Sequence, residues 1–331
     1  WTAFGKKLST WKLKLPPPHA VTIMPHYNCA VVLGATATGK TALAVKLAHA
    51  KHGEIISADS RQVYRGLDLG TGKDLQEYGN IPYHLIDVCD LSREFTVFHF
   101  QQEVYRIFPQ LVEKGCLPII AGGTGLYLDA ILRGYELIPV PENPALRKEL
   151  ALKTLPELQD MLIALKPDIH NKTDLEQPDR LIRAIEIARY RQEHPESAAV
   201  HLHSVPPITP KIYGISFERS VLRERIRRRL IARIDAGMIE ETEQIHAQGY
   251  SWERLESLGL EYRFTAQYLQ GKIETKEAYI EQLYRAICQF AKRQETWFRR
   301  MERNGIEIEW IDGNKAAQLT AEGISGMEPL H

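Results

Sequence analysis

The run Ala30-Val-Val-Leu-Gly34-Ala-Thr-Ala-Thr-Gly39-Lys40-Thr41 carries the densest chemistry in the sequence. From Gly34 onward it satisfies G-x-x-x-x-G-K-Ser/Thr without a mismatch. Two glycines at this spacing let the backbone turn tightly enough for the N–H groups across Gly34, Ala35, Thr36, Ala37, Thr38 and Gly39 to face one anion at the positive end of a helix. Lys40 would meet the outer phosphate as a point charge, and Thr41 would offer its hydroxyl to magnesium. A chance match in a Gly/Thr-rich turn is the plain alternative. The position between a strand-like run and the helical run from Ala42 to His49 counts against it. The loop does not say whether bound phosphates are hydrolysed, transferred or simply released.

A second candidate follows at Glu54-Ile-Ile-Ser-Ala-Asp59-Ser60. Asp59 lies two residues beyond an apolar strand, where a carboxylate can take a proton from an incoming hydroxyl or amine. Capping a helix or binding magnesium are its other possible roles. A hydrolytic site would also need a second strand ending in Asp and a water-orienting partner. Here the support is thin, since His84-Leu-Ile-Asp87-Val is a weak candidate and Leu117 to Ala121 runs into Gly122-Gly-Thr-Gly125.

These residues need a scaffold. Helical spacing from Phe95 to Lys114, then a strand from Leu117 and a further helix after Gly125, continues an alternation of strand and helix. Alternation of this kind predicts a parallel sheet flanked by helices, with ligands gathering at the carboxyl ends of the strands. Gly34 to Thr41, Asp59 and Gly122 to Thr124 would then converge on one crevice. Pro139, Pro141 and Pro144 mark a change of substructure, followed by helical stretches Ala145 to Lys153, Leu155 to Leu165 and Gln177 to Arg191. The domain boundaries read as a core of 29–138 and 211–312, a helical insert of 139–210, an N-terminal extension of 1–28 expected to be flexible, and a tail of 313–331.

Glu196 to Pro210 reads as a loop, in which His201 and His203 have no third ligand at metal spacing. Lys211 to Ser216 returns to the sheet. Phe217 to Gln248 reads as a long helical region with Leu222, Ile226, Leu230 and Ile234 in a stripe and Met238 beyond Gly237, surrounded by arginines that mostly fit a solvated face, one or two of which could reach the crevice. Lys276 to Arg303 is a strong helix with Ile280, Leu283, Ile287, Phe290, Trp297 and Met301 inward. Its outward basic residues, Lys292 and Arg293 among them, suit a phosphate backbone.

The 331 residues are 44% hydrophobic and 25% charged with zero formal net charge, so any nucleic-acid contact must come from local clusters. Cys29, Cys89, Cys116 and Cys288 are too dispersed for a disulfide framework or a Cys-rich zinc site, which fits a reducing, cytoplasmic setting. No apolar run nears the roughly 20 residues that span a bilayer, so no membrane role is expected.

Taken together, Gly34 to Thr41, Ile56-Ser-Ala-Asp-Ser-Arg-Gln-Val-Tyr64, Gly70-Thr-Gly-Lys73, His84 to Asp87, Ala121-Gly-Gly-Thr-Gly-Leu-Tyr127, Asp179-Arg-Leu-Ile-Arg-Ala-Ile-Glu186 and Ala291-Lys-Arg-Gln-Glu-Thr-Trp-Phe-Arg299 resemble the tRNA dimethylallyltransferases, over about Ala30 to Asp312. The resemblance implies a P-loop NTPase-like α/β fold with a mostly helical insert. It also implies transfer of a dimethylallyl group from dimethylallyl diphosphate to the N6 amine of an adenosine beside the tRNA anticodon, with release of pyrophosphate. Carried over, Gly34 to Thr41 hold the diphosphate with Mg2+ near Thr41, Arg225 supplies a second cation, and Asp59 takes the amine proton.

Asp59, Ser60, Arg61, Gln62, Thr124, Arg147, Asp179, Arg180, Leu181, Ile182 and Arg183 match positions that contact the tRNA anticodon stem-loop. A target base in so deep a crevice must be flipped from its stack. A monomer is expected. The rival expectations are prenyl transfer to free adenine nucleotides and a P-loop small-molecule kinase. The chain departs from the family pattern at Ala35 (commonly Pro), Thr38 (Ser) and Gly72 (Ala). It also carries an extra residue within Ser257-Leu-Gly-Leu-Glu-Tyr-Arg263, and Arg189 to Gln192 replaces a Thr-Gly pair.

Overall fold

In the computed structural model, which describes residues 27–165, 177–195 and 206–316, β1 (Cys29–Gly34) is buried along its whole length. Its side chains alternate, with Ala30 and Val32 toward one layer and Val31 and Leu33 toward the other. Such two-sided burial is what a central parallel strand requires. With β2 (Gly53–Ser57), β3 (Tyr83–His84), β4 (Leu117–Gly122), β5 (Pro210–Ser216) and β6 (Glu309–Asp312) it forms a six-stranded sheet in the order β3-β2-β4-β1-β5-β6. Every neighbouring pair is parallel. The register sets Leu33 beside Gly122, Ser57 beside Ala121 and Gly34 beside Ile215, so the strand ends that carry the motifs open on one edge.

One face is covered by α1 (Lys40–Lys51), which buries Leu43, Ala44, Leu47 and Ala48 against Ile55, Ile119 and Tyr213. On the other, α2 (Val97–Glu113) and α3 (Gly125–Leu132) place Phe100, Val104 and Leu128 against Ile56 and Ile120. The helices α4 (Pro144–Ala151), α5 (Leu155–Leu165) and α6 (Pro178–Glu193) share a small core of their own, built on Leu146, Leu150, Leu158, Leu162, Leu181 and Ile185.

After β5 come α7 (Arg219–Asp235), α8 (Met238–Ala247), α9 (Trp252–Ser257), α10 (Leu260–Leu269) and α11 (Lys276–Arg303), with a short α12 (Gly313–Ala316) after β6. The apolar stripe of α7 and the facing residues Tyr279, Leu283, Ile287 and Ala291 of α11 pack together and against Ala35 and Ala37 of the phosphate loop. Burial of each large side chain in such a stripe contributes about 1.5–3 kcal/mol, which anchors the loop from outside the sheet.

Three expectations from the sequence change. The strand expected from His84 to Val88 is confined to Tyr83–His84, because Leu85 and Asp87 adopt left-handed φ values of 62° and 56°. The helical region from Phe217 to Gln248 is two helices, broken where Gly237 has φ 105°. Phe290, expected inward, is 39% exposed. Residues 1–26, His201, His203 and the tail beyond residue 316 lie outside the described residues. Among those described, no helix is long and apolar enough to cross a membrane.

Candidate active site

The loop from Gly34 to Lys40 is held from three sides. A Cβ on Gly34 would lie 2.8 Å from both the Ile215 carbonyl oxygen and the Thr38 hydroxyl, so only glycine fits. Gly39 caps α1 at φ 84°, a conformation that side chains disfavour. The Thr38 hydroxyl and the Lys40 ammonium each donate to the Ala35 carbonyl at 2.8 Å. Burial, reinforced by the Arg229 charge and opposed by Asp59, lowers the Lys40 pKa to about 8.

Gln294 of α11 closes the loop against the end of β4. Its Oε1 accepts from the Thr36 N–H and its Nε2 donates to the Gly123 carbonyl, both at 2.9 Å. From α7, Arg225 donates through Nε to the Ala37 carbonyl at 2.8 Å, with its guanidinium 4.5 Å from the Phe217 ring centroid. Burial, with Arg228 and Arg229 nearby, pushes the Arg225 pKa down. One turn along, Arg229 reaches Thr36 Oγ1 at 3.4 Å, the Gly72 carbonyl at 3.5 Å and Asp74 at 3.2 Å. Arg225 and Arg229 are therefore separated by four residues on one face of a helix and both point at the cradle.

Asp59 sits where β2 leaves the sheet. A Cβ on Gly122 would fall 2.2 Å from the Ala58 carbonyl oxygen, so the ends of β2 and β4 meet only because Gly122 has no side chain. Asp59 Oδ1 accepts from the Arg61 N–H at 2.8 Å and the Gln62 N–H at 3.4 Å, fixing the carboxylate in a local turn. The Thr124 hydroxyl accepts from the Ser60 N–H at 3.0 Å. Gln62 accepts from Ser57 Oγ at 2.9 Å and donates to the Gly72 carbonyl at 3.0 Å.

The far side of this loop is pinned by Lys73. Fully buried, it donates to the Tyr64 carbonyl at 2.9 Å, Asp68 at 2.7 Å and Asp87. The Glu241 carboxylate accepts from the Leu69 N–H at 2.8 Å and from the Tyr262 hydroxyl at 2.6 Å. Arg233 lies against Gly72, where a Cβ would meet its Nη2 at 1.4 Å. Burial and the Arg229 charge lower the Arg233 pKa to about 10.

Lys40, Thr41, Asp59, Ser60, Arg61, Gln62, Thr124, Arg180, Arg225 and Arg293 all line one crevice of about 1080 Å³. Its size is at the upper end of small-molecule pockets. Nine basic and four acidic side chains face it, a concentration of positive charge inside a chain of zero net charge.

Other residues expected to touch tRNA lie elsewhere. Arg147 does not line the crevice; it pairs with Glu142 and Glu186, each at 3.0 Å. Burial alone would raise the Glu186 pKa, but hydrogen bonds from Arg147, the Asn143 N–H and Arg183 hold it below the usual range. Arg183 also donates to the Val140 carbonyl at 2.9 Å. Leu181 is fully buried in the core of the insert, which closes its side chain to RNA, whereas Asp179 is exposed and Ile182 half-buried. Lys292 is exposed outside the crevice lining.

The sequence assigns no individual role to Gln294, Arg229 or Lys73. Gln294 stands beside Lys292 and Arg293 in a block that is singled out, and Arg229 follows Arg225 by one helical turn. Those are the available signals.

A model described as IPP transferase matches residues 62–301, and one described as isopentenyl transferase matches residues 27–79. The chain is 62% identical over 291 residues to tRNA dimethylallyltransferase 2 of Treponema denticola, covering 88% of this chain and 98% of that one. The chain belongs to the IPP transferase family. Another relative, tRNA dimethylallyltransferase 2 of Trichlorobacter lovleyi, is 53% identical over 286 residues, 86% of this chain and 92% of that one. Among solved structures, a tRNA isopentenylpyrophosphate transferase of Bacillus halodurans superposes with a TM-score of 0.64 at 32% identity, covering 90% of this chain and 96% of that chain. A eukaryotic dimethylallyltransferase acting on tRNA shares the fold at a TM-score of 0.70 and 22% identity, over 88% of this chain and 75% of that one. The chain thus shares its fold, built on the parallel sheet described above, with these structures.

Proposed function

We propose that this IPP transferase family member moves a dimethylallyl group from dimethylallyl diphosphate to the N6 amine of an adenosine next to the tRNA anticodon. The observation that carries the reading is the crevice itself, where a phosphate-binding loop and a fixed carboxylate, Asp59, share one basic cavity. The loop N–H groups with Lys40, Arg225 and Arg229 concentrate positive charge where negative charge grows on departing pyrophosphate. As the allylic carbon–oxygen bond breaks, the exocyclic nitrogen bonds to that carbon and its proton passes to Asp59. Positioning matters because the adenine amine lone pair is delocalised into the ring.

The Thr41 hydroxyl, on the crevice wall with Tyr78, suits Mg2+, which takes few protein ligands and draws the rest from phosphate and water. When bound, the ion would neutralise diphosphate charge. A cavity of this volume admits a purine beside the diphosphate, which favours an everted base. One chain supplies cradle, base and basic wall, so the reading is of a monomer acting on cytoplasmic tRNA. Labelled dimethylallyl diphosphate offered with Mg2+ and either tRNA or AMP should label tRNA. Label in AMP alone, or ATP consumption with no transfer, would overturn the assignment.

A further inference from the structure

We propose that the ring of Phe290, an exposed part of the crevice lining, is a stacking platform for a nucleobase adjacent to the one that is alkylated. The inference rests on the tRNA reading above. Phe290 belongs by spacing to the apolar side of α11, yet it is 39% exposed and lies outside the core that takes Ile287 and Ala291. It lines the crevice together with Arg180, Arg263 and Arg293, and the Arg293 guanidinium is 5.8 Å from its ring centroid.

Four residues further along the same helix, Gln294 is 7% exposed and touches the phosphate cradle. Four residues rise about 6 Å along a helix, so Phe290 stands roughly one turn from the residue that touches the cradle and is the more exposed of the two. Everting one nucleotide leaves each neighbouring base with an uncovered face. An exposed aromatic ring with the Arg293 guanidinium beside it, in a crevice that Arg180 and Arg263 also line, matches that need, offering its face to the base and cations to the adjoining phosphates.

The test uses anticodon stem-loop RNA carrying 2-aminopurine at either position flanking the target adenosine, titrated with the wild-type chain, Phe290→Tyr, Phe290→Leu and Phe290→Ala. At one of the two positions the wild type and Phe290→Tyr should quench the probe, while Phe290→Leu and Phe290→Ala should not. The KM for RNA should rise roughly 10- to 100-fold in Phe290→Ala. The salt dependence of RNA binding should keep its slope, because stacking displaces no counterions. Melting temperatures and donor affinity, measured alongside, separate this from misfolding. Equal quenching by all four proteins, or a flattened salt slope with unchanged quenching, would overturn the platform. Failure of the wild type to alkylate any RNA would instead overturn the reading on which it rests.

Discussion

Replacing Gln294 by leucine removes one side chain that serves two backbone groups, the partly buried Thr36 N–H and the buried Gly123 carbonyl, each now bonded at 2.9 Å. Leaving a buried polar group unpaired costs about 1–3 kcal/mol. With some offset from the added apolar burial, the pair should cost roughly 2–4 kcal/mol. At about 2 °C per kcal/mol for a chain of this size, thermal unfolding should fall by roughly 4–8 °C. Because Thr36 lies in the cradle, the loop should also loosen, and dimethylallyl diphosphate or pyrophosphate should bind about tenfold more weakly for every 1.4 kcal/mol that falls on the bound conformation. Gln294→Glu should bind the donor more weakly still. It keeps an acceptor for Thr36, loses the donor to Gly123, and adds a negative charge beside the diphosphate. Differential scanning fluorimetry and isothermal titration calorimetry read the two quantities separately. A Gln294→Leu protein with wild-type melting and wild-type donor affinity would refute the bridging role.

Asp59→Ala should bind donor normally but lose a factor of roughly 100 or more in turnover; near-normal turnover would remove Asp59 as the base. The Lys40 pKa near 8, against 10.5 when unfolded, means the ammonium is charged below about pH 8 and neutral above it. Pyrophosphate affinity should therefore decline as pH rises through 8, an inflection absent in Lys40→Met. Between pH 8 and 10.5 the unfolded chain holds the extra proton, so this group's contribution to stability rises with pH across that window; a flat difference between wild type and Lys40→Met would contradict the assignment. Gly72→Ala should push Arg233 and Arg229 out of place and weaken donor binding several-fold, as measured by calorimetry. The double change with Arg233→Ala should recover part of the loss, and unchanged affinity in the single variant would refute the contact.

The phosphate cradle was legible because its constraints are local. Gly34, Gly39, Lys40 and Thr41 must stand at fixed offsets for one turn to bind one anion. The strands and the limits of α11 followed from periodicity in the same way. Gln294 did not, because the groups it bridges lie 258 and 171 residues away in the chain. Arg229 has the same chemistry as its exposed neighbours, and only the packing of α7 on the loop shows that it faces Thr36. Phe290 shows the limit of helical spacing: the pattern gives the side of the helix, but not whether a core or a crevice covers it. The strand expected past His84 stops where Leu85 and Asp87 turn left-handed, and Asp87 there meets the buried ammonium of Lys73, a long-range contact that no local propensity encodes.

The bond between Thr36 and Gln294 also orders events during synthesis. At 5–20 residues per second, the 258 residues between them take roughly 13–50 seconds to appear. A nascent chain thus carries its glycine-rich turn long before the helix that braces it. A fully braced loop therefore waits until α11 has been made, 258 positions after the turn it holds.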